Sequence, residues 1–282
     1  MAQLSHALAV LSSVSYGAAD FLGGLATKRG SNVFSVVAFS QLVGLILVGL
    51  CLPFLPSSAP SAADLAWGAA AGLAGGVGVG LLYRGLAVGM MSVVAPVTAV
   101  CAVIIPVAVG VAFGERLTRP AGLGVVLAIV AIVLISQSGD RQDGRRATTG
   151  LPVAIASGVA IGVFLVCLER TAPAAGLWPL IPARIVSVSL FAAAGMVLRN
   201  ALLPRRGAMR IVVAGGVLDM AANVLYLLAV REGPLGIVAT LTSLYPASTV
   251  LLARIVLHER LRRVQQAGVA CAAAAILLIV AF

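Results

Sequence analysis

The chain of 282 residues carries a formal net charge of +10, although only 10% of its residues are charged and 61% are hydrophobic. An ordinary soluble domain has about a quarter of its residues charged, so this composition excludes that class. Apolar runs of about 20 residues, the length that crosses the hydrocarbon core of a bilayer, recur along the whole chain. The longest polar interval, SQSGDRQDGRRATTG, leaves no room for a soluble catalytic domain.

Several chemical functions are excluded by the residues that the sequence lacks or disperses. The basic residues stand singly or in small groups at the ends of apolar runs, as membrane topology signals do, and form no nucleic-acid-binding face. The four cysteines lie inside apolar runs without a CxxC pair, and two isolated histidines are too few for a metal site. Because no GxxxxGK[ST], GxSxG or HExxH motif is present, we expect no enzyme, no metal and no cofactor.

The apolar runs predict an all-α integral membrane protein with ten transmembrane helices. The predicted spans are 3–26, 33–53, 64–83, 91–113, 119–136, 150–169, 176–198, 209–230, 235–257 and 264–282.

Polar side chains interrupt the first two predicted helices. Ser12, Tyr16 and Asp20 follow one face of the first helix, and Gln41 lies near the middle of the second. A charge near the bilayer centre costs about 2.5–3.5 kcal/mol on insertion scales, so Asp20 requires a partner or a water-filled cavity. We therefore expect this polar stripe to face the interior of the helix bundle.

The third and fourth predicted helices carry glycine and proline signals. Glycines recur at every fourth position from Gly68 to Gly80, which predicts a flat stripe that another helix can approach closely. Pro96 and Pro106 lie within the fourth helix, which should be kinked or locally opened because proline removes a backbone donor. Such kinks either shape the packing alone or mark a binding site.

The second half of the chain contains further charges within apolar runs. Arg184 lies slightly off the centre of the seventh helix, and Asp219, Asn223 and Tyr226 share one face of the eighth. A static salt bridge of Arg184 with Asp219 or Asp20 is one interpretation. We favour a cavity that holds polar groups of a substrate, because two polar stripes exceed what one ion pair requires.

The ninth predicted helix contains Tyr245 and Pro246 near its middle. A proline in this position predicts a kink, and kinked helices in the two halves of a membrane protein point towards a binding site near the midplane. Tyr245 is accordingly a further candidate for the cavity wall.

The segment from Tyr83 to Leu117 returns as the segment from Tyr226 to Leu261. A shift of 144 residues superposes the two Glu-Arg-Leu turns, and it places Gly89 on Gly233 and Thr98 on Thr242 without a gap. The predicted domains are therefore a first five-helix repeat at 1–136, a linker at 137–149 and a second repeat at 150–282. Because five is odd, the second repeat must enter the bilayer from the opposite face, which makes the repeat inverted.

The two Glu-Arg-Leu turns lie at helix ends. We expect Glu115, Arg116, Glu259 and Arg260 to be structural, since a carboxylate there can stabilise the N-terminus of the following helix or pair with a neighbouring arginine.

The distribution of basic residues predicts the orientation. Loops after the odd-numbered helices hold thirteen of them, and loops after the fourth, sixth and eighth helices hold four. The first set should face the cytoplasm, which places both termini outside.

These features resemble the EamA transporters of the drug/metabolite transporter superfamily. The similarity covers the whole chain and rests on two five-helix halves, each with a GxxxxVA segment that leads to a (G/H)ERL turn. Tyr16-Gly17 stands where the family usually has Trp-Gly, and Tyr245-Pro246 is similar to the family's proline-containing fourth helix of each repeat. The resemblance implies a multi-pass secondary carrier of a bacterial inner membrane, with a central cavity that opens to alternate sides. Family members are commonly drawn with cytoplasmic termini, so the orientation has two possible assignments.

The resemblance thus implies an exporter of small, amino-acid-like metabolites that works by alternating access, as a facilitator or coupled to protons. Burial favours the neutral form of a carboxylate and a nearby arginine favours its charged form, so coupling depends on the distances of Asp20 and Asp219 from Arg184. The alternatives are an efflux carrier for lipophilic cations, which prefers an unpaired acidic residue among aromatics, and a non-transporting sensor or assembly protein. The expected partners are a small-molecule substrate and the lipid bilayer, without nucleic acid, in a monomer or a homodimer.

Overall fold

The computed structural model describes residues 2–54, 58–88, 91–115, 118–135, 144–256 and 263–281. Within these ranges the chain is helical and contains no strand. The helices are α1 (Ala2–Lys28), α2 (Val33–Cys51), α3 (Ala62–Val88), α4 (Met91–Ala112), α5 (Arg119–Ile135), α6 (Gly144–Glu169), α7 (Leu180–Val197), α8 (Met209–Glu232), α9 (Leu235–Thr242), α10 (Tyr245–Val256) and α11 (Arg263–Ala281).

Six of these helices contain stretches that are long and apolar enough to cross a bilayer. Shorter apolar stretches occupy Val97–Ala112, Gly122–Leu134 and Gln266–Ala275, so the count of ten crossings stays a prediction there. The six long stretches are Gln3–Thr27, Val33–Phe54, Ala62–Gly85, Pro152–Glu169, Leu180–Val197 and Arg206–Glu232.

The structure differs from the predicted spans in two places. The ninth span, predicted at 235–257, consists of the two helices α9 and α10, separated by Ser243 and Leu244. Pro246 has no N–H to donate to the carbonyl of Thr242, and its ring clashes with that carbonyl, which accounts for the break at this position. In addition, α6 begins at Gly144, so the second part of the predicted 137–149 linker is helical.

The fourth predicted helix shows no comparable opening. Helix α4 runs without interruption through the positions of Pro96 and Pro106. Of the two helices in which the sequence predicts a proline kink, only the ninth predicted span is therefore divided within the described residues.

Equivalent helices of the two halves pack against equivalent helices of the other half. Helix α1 packs on α8 as α6 packs on α3, and α3 packs on α7 as α8 packs on α2. The hydroxyls of Ser5 and Ser12 donate to the carbonyls of Ala229 and Ala222, each at 2.8 Å, so α1 and α8 run antiparallel. This equivalent packing between the halves is the packing that an inverted duplication requires.

The glycine stripe of α3 lies directly against α7. A Cβ atom at Gly72 would lie 2.1 Å from the carbonyl oxygen of Ala183, and one at Gly80 would lie 2.4 Å from the ring of Phe191. Because contacts advance together along both sequences, α3 and α7 run parallel. The structure therefore contains the close helix approach that the spacing predicts, and it leaves no space for a methyl group.

Helices α1, α3 and α7 end on the same face of the bundle. We call it the basic face, since Arg29, Arg199 and Arg205 lie beside these ends. Helices α3 and α9 begin on the opposite face, which we call the capped face because Glu115 caps the start of α9 there.

We expect Gly72→Ala to lower the free energy of unfolding by about 1–3 kcal/mol, because the methyl group forces the backbones of α3 and α7 apart. Gly122→Ala in α5 is the matched control, since nothing lies within 4 Å of a Cβ at that position. Thermal unfolding of the purified chain in detergent measures both variants. Equal effects of the two substitutions would contradict the packing described here.

Candidate substrate site

A cavity lies between the two halves of the bundle, at the level where α9 is separated from α10. It encloses about 780 Å³ of empty space, including the part open to solvent, and the centre of a water molecule can occupy about 80 Å³ of it. The site is therefore narrow and suited to a small molecule. Its polar lining consists of Tyr16, Asp20, Gln41, Arg184, Ser187, Asp219, Asn223, Thr242, Ser243 and Tyr245.

Seven of the eight cavity residues predicted from the sequence line this cavity, and Tyr226 does not. The side chain of Tyr226 is fully buried, and its hydroxyl donates to the carbonyl oxygen of Leu165 at 2.9 Å. This bond fixes α8 against α6, so Tyr226 is a packing residue in the structure. It shares a helix face with Asp219 and Asn223, but the close approach of α6 covers its end of that face.

Three further polar residues of the cavity were not predicted from the sequence: Ser187, Thr242 and Ser243. Ser187 lies one helical turn after Arg184, and Thr242 is a residue that the internal repeat aligns with another threonine, Thr98. Both signals were available, although hydroxyl residues are too common in membrane helices to be selected on spacing alone.

One side of the cavity is occupied by a network of charged and amide groups, in which the buried Nε of Arg184 has no hydrogen-bond partner among the described residues. The Nη2 atom of Arg184 lies 2.7 Å from Oδ2 of Asp219, and its Nη1 atom donates to Oε1 of Gln41. Gln41 donates in turn to Oδ2 of Asp219 at 3.4 Å, and Ser187 donates to Oε1 of Gln41 at 3.1 Å. The network joins α2, α7 and α8, and its two charges neutralise each other.

The other side of the cavity carries polar groups without partners. Among the described residues, nothing forms a hydrogen bond or an ion pair with the carboxylate of Asp20. The buried hydroxyl groups of Tyr16, Thr242 and Tyr245 also lack a hydrogen-bond partner there. Burying a polar group without a partner is costly, so this side of the cavity is suited to a ligand that supplies the missing contacts.

The division of the ninth predicted helix positions two of these hydroxyl groups. At the end of α9, the backbone N–H of Ser243 donates to Ala239 at 2.9 Å, and that of Leu244 donates to Leu241 at 3.3 Å. The chain then restarts as α10 at Tyr245. Thr242 and Tyr245 consequently flank the break and lie in the wall of the cavity.

Gly17 brings Tyr16 beside this break. A Cβ atom at Gly17 would lie 2.5 Å from the carbonyl oxygen of Tyr245, so only glycine allows α1 to approach α10 here. The hydroxyl of Thr249 donates to the carbonyl of Gly17 at 3.0 Å and holds the two helices together. The aromatic-glycine pair thus has a geometric role in joining the first helix to the divided one.

A smaller chamber adjoins the cavity on the side of the basic face. It encloses about 360 Å³ and shares Asp20, Gln41 and Asp219 with the main cavity. Its far wall includes Tyr83, whose hydroxyl would lie 2.2 Å from a Cβ atom at Gly23. The acidic residues of the site therefore border two spaces.

At the capped face, hydrogen bonds of a side chain join the two halves of the chain. The carboxylate of Glu115 accepts the backbone N–H groups of Leu235 and Gly236, the latter at 2.9 Å. The residue before α9, Pro234, provides no side-chain cap. Glu115 therefore caps α9, 120 residues away in the sequence, whereas a cap of the following helix α5 was one of the two roles expected of it. It can do so because the inverted packing brings the end of α4 beside the start of α9.

The remaining residues of the Glu-Arg-Leu turns, Arg116, Glu259 and Arg260, lie outside the described residues. Further contacts at the capped face involve Asp64, which accepts the backbone N–H of Ala172 at 2.7 Å, and Arg231, which donates to the carbonyl of Gly176 at 2.6 Å.

The helices include six of membrane-spanning length, the two halves pack against each other in equivalent ways, and a polar cavity lies between them. These features define a multi-pass membrane protein built by internal duplication. The model of the EamA-like transporter family matches residues 3–137 and again residues 148–281, and the chain belongs to this family. The family that the sequence resembles is thereby confirmed, as is its arrangement in two repeats.

One solved crystal structure shares the fold with a TM-score of 0.73 at 16% sequence identity, covering 95% of each chain. No curated protein matches the sequence.

We expect Glu115→Ala to speed up amide hydrogen exchange in the peptide that contains Leu235–Thr242, because two charge-assisted hydrogen bonds to the start of α9 are lost. Loss of such a cap typically costs about 0.5–2 kcal/mol. Glu232→Ala is the control, since Glu232 is an exposed acidic residue at the end of α8. Unchanged exchange in α9 on Glu115→Ala would contradict the capping role.

We expect Arg184→Met to destabilise the chain by about 3 kcal/mol, because it leaves the charge of Asp219 without its partner. The double variant Arg184→Met/Asp219→Leu should recover most of this loss, since it removes both charges together. A double-mutant cycle measured by thermal unfolding compares the variants. Additive losses would show that the two charges do not interact.

Proposed function

We propose that the chain is a secondary transporter that exports a small polar metabolite, amino-acid-like in size, by alternating access. The observation that carries this proposal is the cavity between the two halves, lined on one side by polar groups without partners among the described residues. A protein that used these residues only for packing would satisfy them with one another. This supports transport over the non-transporting sensor or assembly protein.

The difference between the two faces supports alternating access. At the capped face, side-chain hydrogen bonds between helices from different halves close the bundle, with Glu115 of the first half capping α9 of the second. The smaller chamber extends from the acidic residues towards the basic face. An inverted repeat can exchange these two arrangements by moving one half against the other. On the charge distribution, the basic face is cytoplasmic in a bacterial inner membrane.

Asp20 supports coupling to protons. The charge of Asp219 is neutralised by Arg184, whereas Asp20 has no cationic partner among the described residues. A lone carboxylate in an enclosed site is costly until a proton or a cationic group neutralises it. Exchange of a proton for substrate at Asp20 would couple export to the proton gradient.

The same unpaired carboxylate, with Tyr16 and Tyr245 beside it, also favours the second candidate function, efflux of lipophilic cations. The narrowness of the cavity favours the smaller metabolite. The two candidate functions differ in the size and polarity of the solute that the cavity accepts.

The test uses the purified chain in proteoliposomes with a pH gradient and four probes: L-threonine, putrescine, tetraphenylphosphonium and acetate. We expect gradient-driven uptake of a small polar probe, and a loss of about tenfold or more on Asp20→Asn because the coupling carboxylate is removed. Glu232→Gln is the control for an acidic residue outside the cavity.

Thermal unfolding establishes that each variant is folded before its flux is compared. If the pH gradient drives no flux, and both Asp20→Asn and Asp219→Asn leave flux unchanged, proton coupling is wrong. Uptake of tetraphenylphosphonium alone would favour the lipophilic-cation carrier.

A further inference from the structure

We propose that Asp20, Tyr16, Thr242 and Tyr245 form a binding subsite for the protonated amino group of a small primary amine. We call these four residues the ammonium subsite. The inference rests on the proposed transport function and names the chemical class of its substrate.

The charges of the cavity favour a cation. Arg184 pairs with Asp219, so the carboxyl group of Asp20 is in excess and adds a negative charge to the cavity whenever it is ionised. Arg184 lies 2.7 Å from Asp219 and also donates to Gln41, so its guanidinium group already has two partners within the protein. A substrate carboxylate would have to compete with Asp219 for this guanidinium, whereas a substrate ammonium group meets a free carboxylate at Asp20.

The unpartnered hydroxyl groups favour a cation that carries N–H donors. Thr242 and Tyr245 are only 2% and 8% exposed, and both hydroxyl groups lack a partner among the described residues. A hydroxyl oxygen accepts hydrogen bonds, and a primary ammonium group has three N–H donors. A quaternary or phosphonium cation has none, so it would leave the hydroxyls of Thr242 and Tyr245 unsatisfied.

The break in the ninth predicted helix presents two helix ends to the cavity. The C-terminal end of α9, at Thr242 and Ser243, attracts cations, and the N-terminal end of α10, at Tyr245, attracts anions, so the two ends offset each other. The preference for a cation therefore rests on Asp20 and on the hydroxyl groups of Thr242 and Tyr245.

The experiment measures binding of four probes to the purified full-length chain in detergent by isothermal titration calorimetry and thermal shift. The probes are methylammonium, putrescine, tetramethylammonium and acetate. We expect methylammonium and putrescine to bind, and Asp20→Asn to weaken that binding by about tenfold or more, as expected for loss of a charged hydrogen-bond partner.

Matched variants separate binding from folding. Tyr245→Phe and Thr242→Val should each weaken methylammonium binding about threefold to tenfold, which corresponds to one hydrogen bond. Tyr226→Phe and Thr98→Val are the controls, because these buried hydroxyls donate to the carbonyls of Leu165 and Ala154 outside the ammonium subsite. The controls should leave binding of every probe unchanged even where they lower the melting temperature.

Two results would overturn the ammonium subsite. One is binding of acetate in the absence of amine binding. The other is binding of tetramethylammonium as tight as that of methylammonium, with Tyr245→Phe and Thr242→Val without effect.

The transport assay distinguishes this failure from failure of the proposed function. Gradient-driven flux of another solute without amine binding overturns the subsite and leaves transport intact. Amine binding without flux of any probe supports the subsite and contradicts the transporter.

Discussion

The ion pair between Arg184 and Asp219 is the interaction on which the site depends. Two charges within apolar helices are tolerated only because each neutralises the other and Gln41 bonds to both. Since the pair joins α7 to α8, and Gln41 adds α2, it fixes one wall of the cavity. It also removes Asp219 from the charges available to a ligand. Asp20, the acidic residue outside this ion pair, therefore determines the net charge that the site presents to a ligand.

The divided helix provides the opposite wall, and its position follows from contacts at both of its ends. Pro246 accounts for the break after α9, which has only eight residues and ends at the cavity. At its start, Glu115 supplies the side-chain cap that Pro234 cannot provide. A segment from one half of the duplication thus holds the element that shapes the site in the other half. Movement of the halves against each other would act directly on Thr242 and Tyr245.

Glycine allows the helices of this arrangement to approach each other closely. Gly72 places the backbone of α3 against that of α7, and Gly17 does the same for α1 and α10. Helices in a bilayer gain little from the hydrophobic effect between them, so close backbone contact and interhelical hydrogen bonds such as that of Ser12 to Ala222 hold the bundle together.

The sequence by itself determined the membrane class, the duplication, the glycine contact between helices and most polar residues of the cavity. These follow from local periodicity, from composition and from the cost of burying charge, none of which requires knowledge of neighbours. The tertiary structure alone decided which acid Arg184 neutralises, that Tyr226 packs against Leu165, and that Glu115 caps α9 and not α5. Each of these depends on which helices meet after inversion of the second repeat. Spacing along one helix defines a face, but only the packing of other helices decides which part of that face stays open to a ligand.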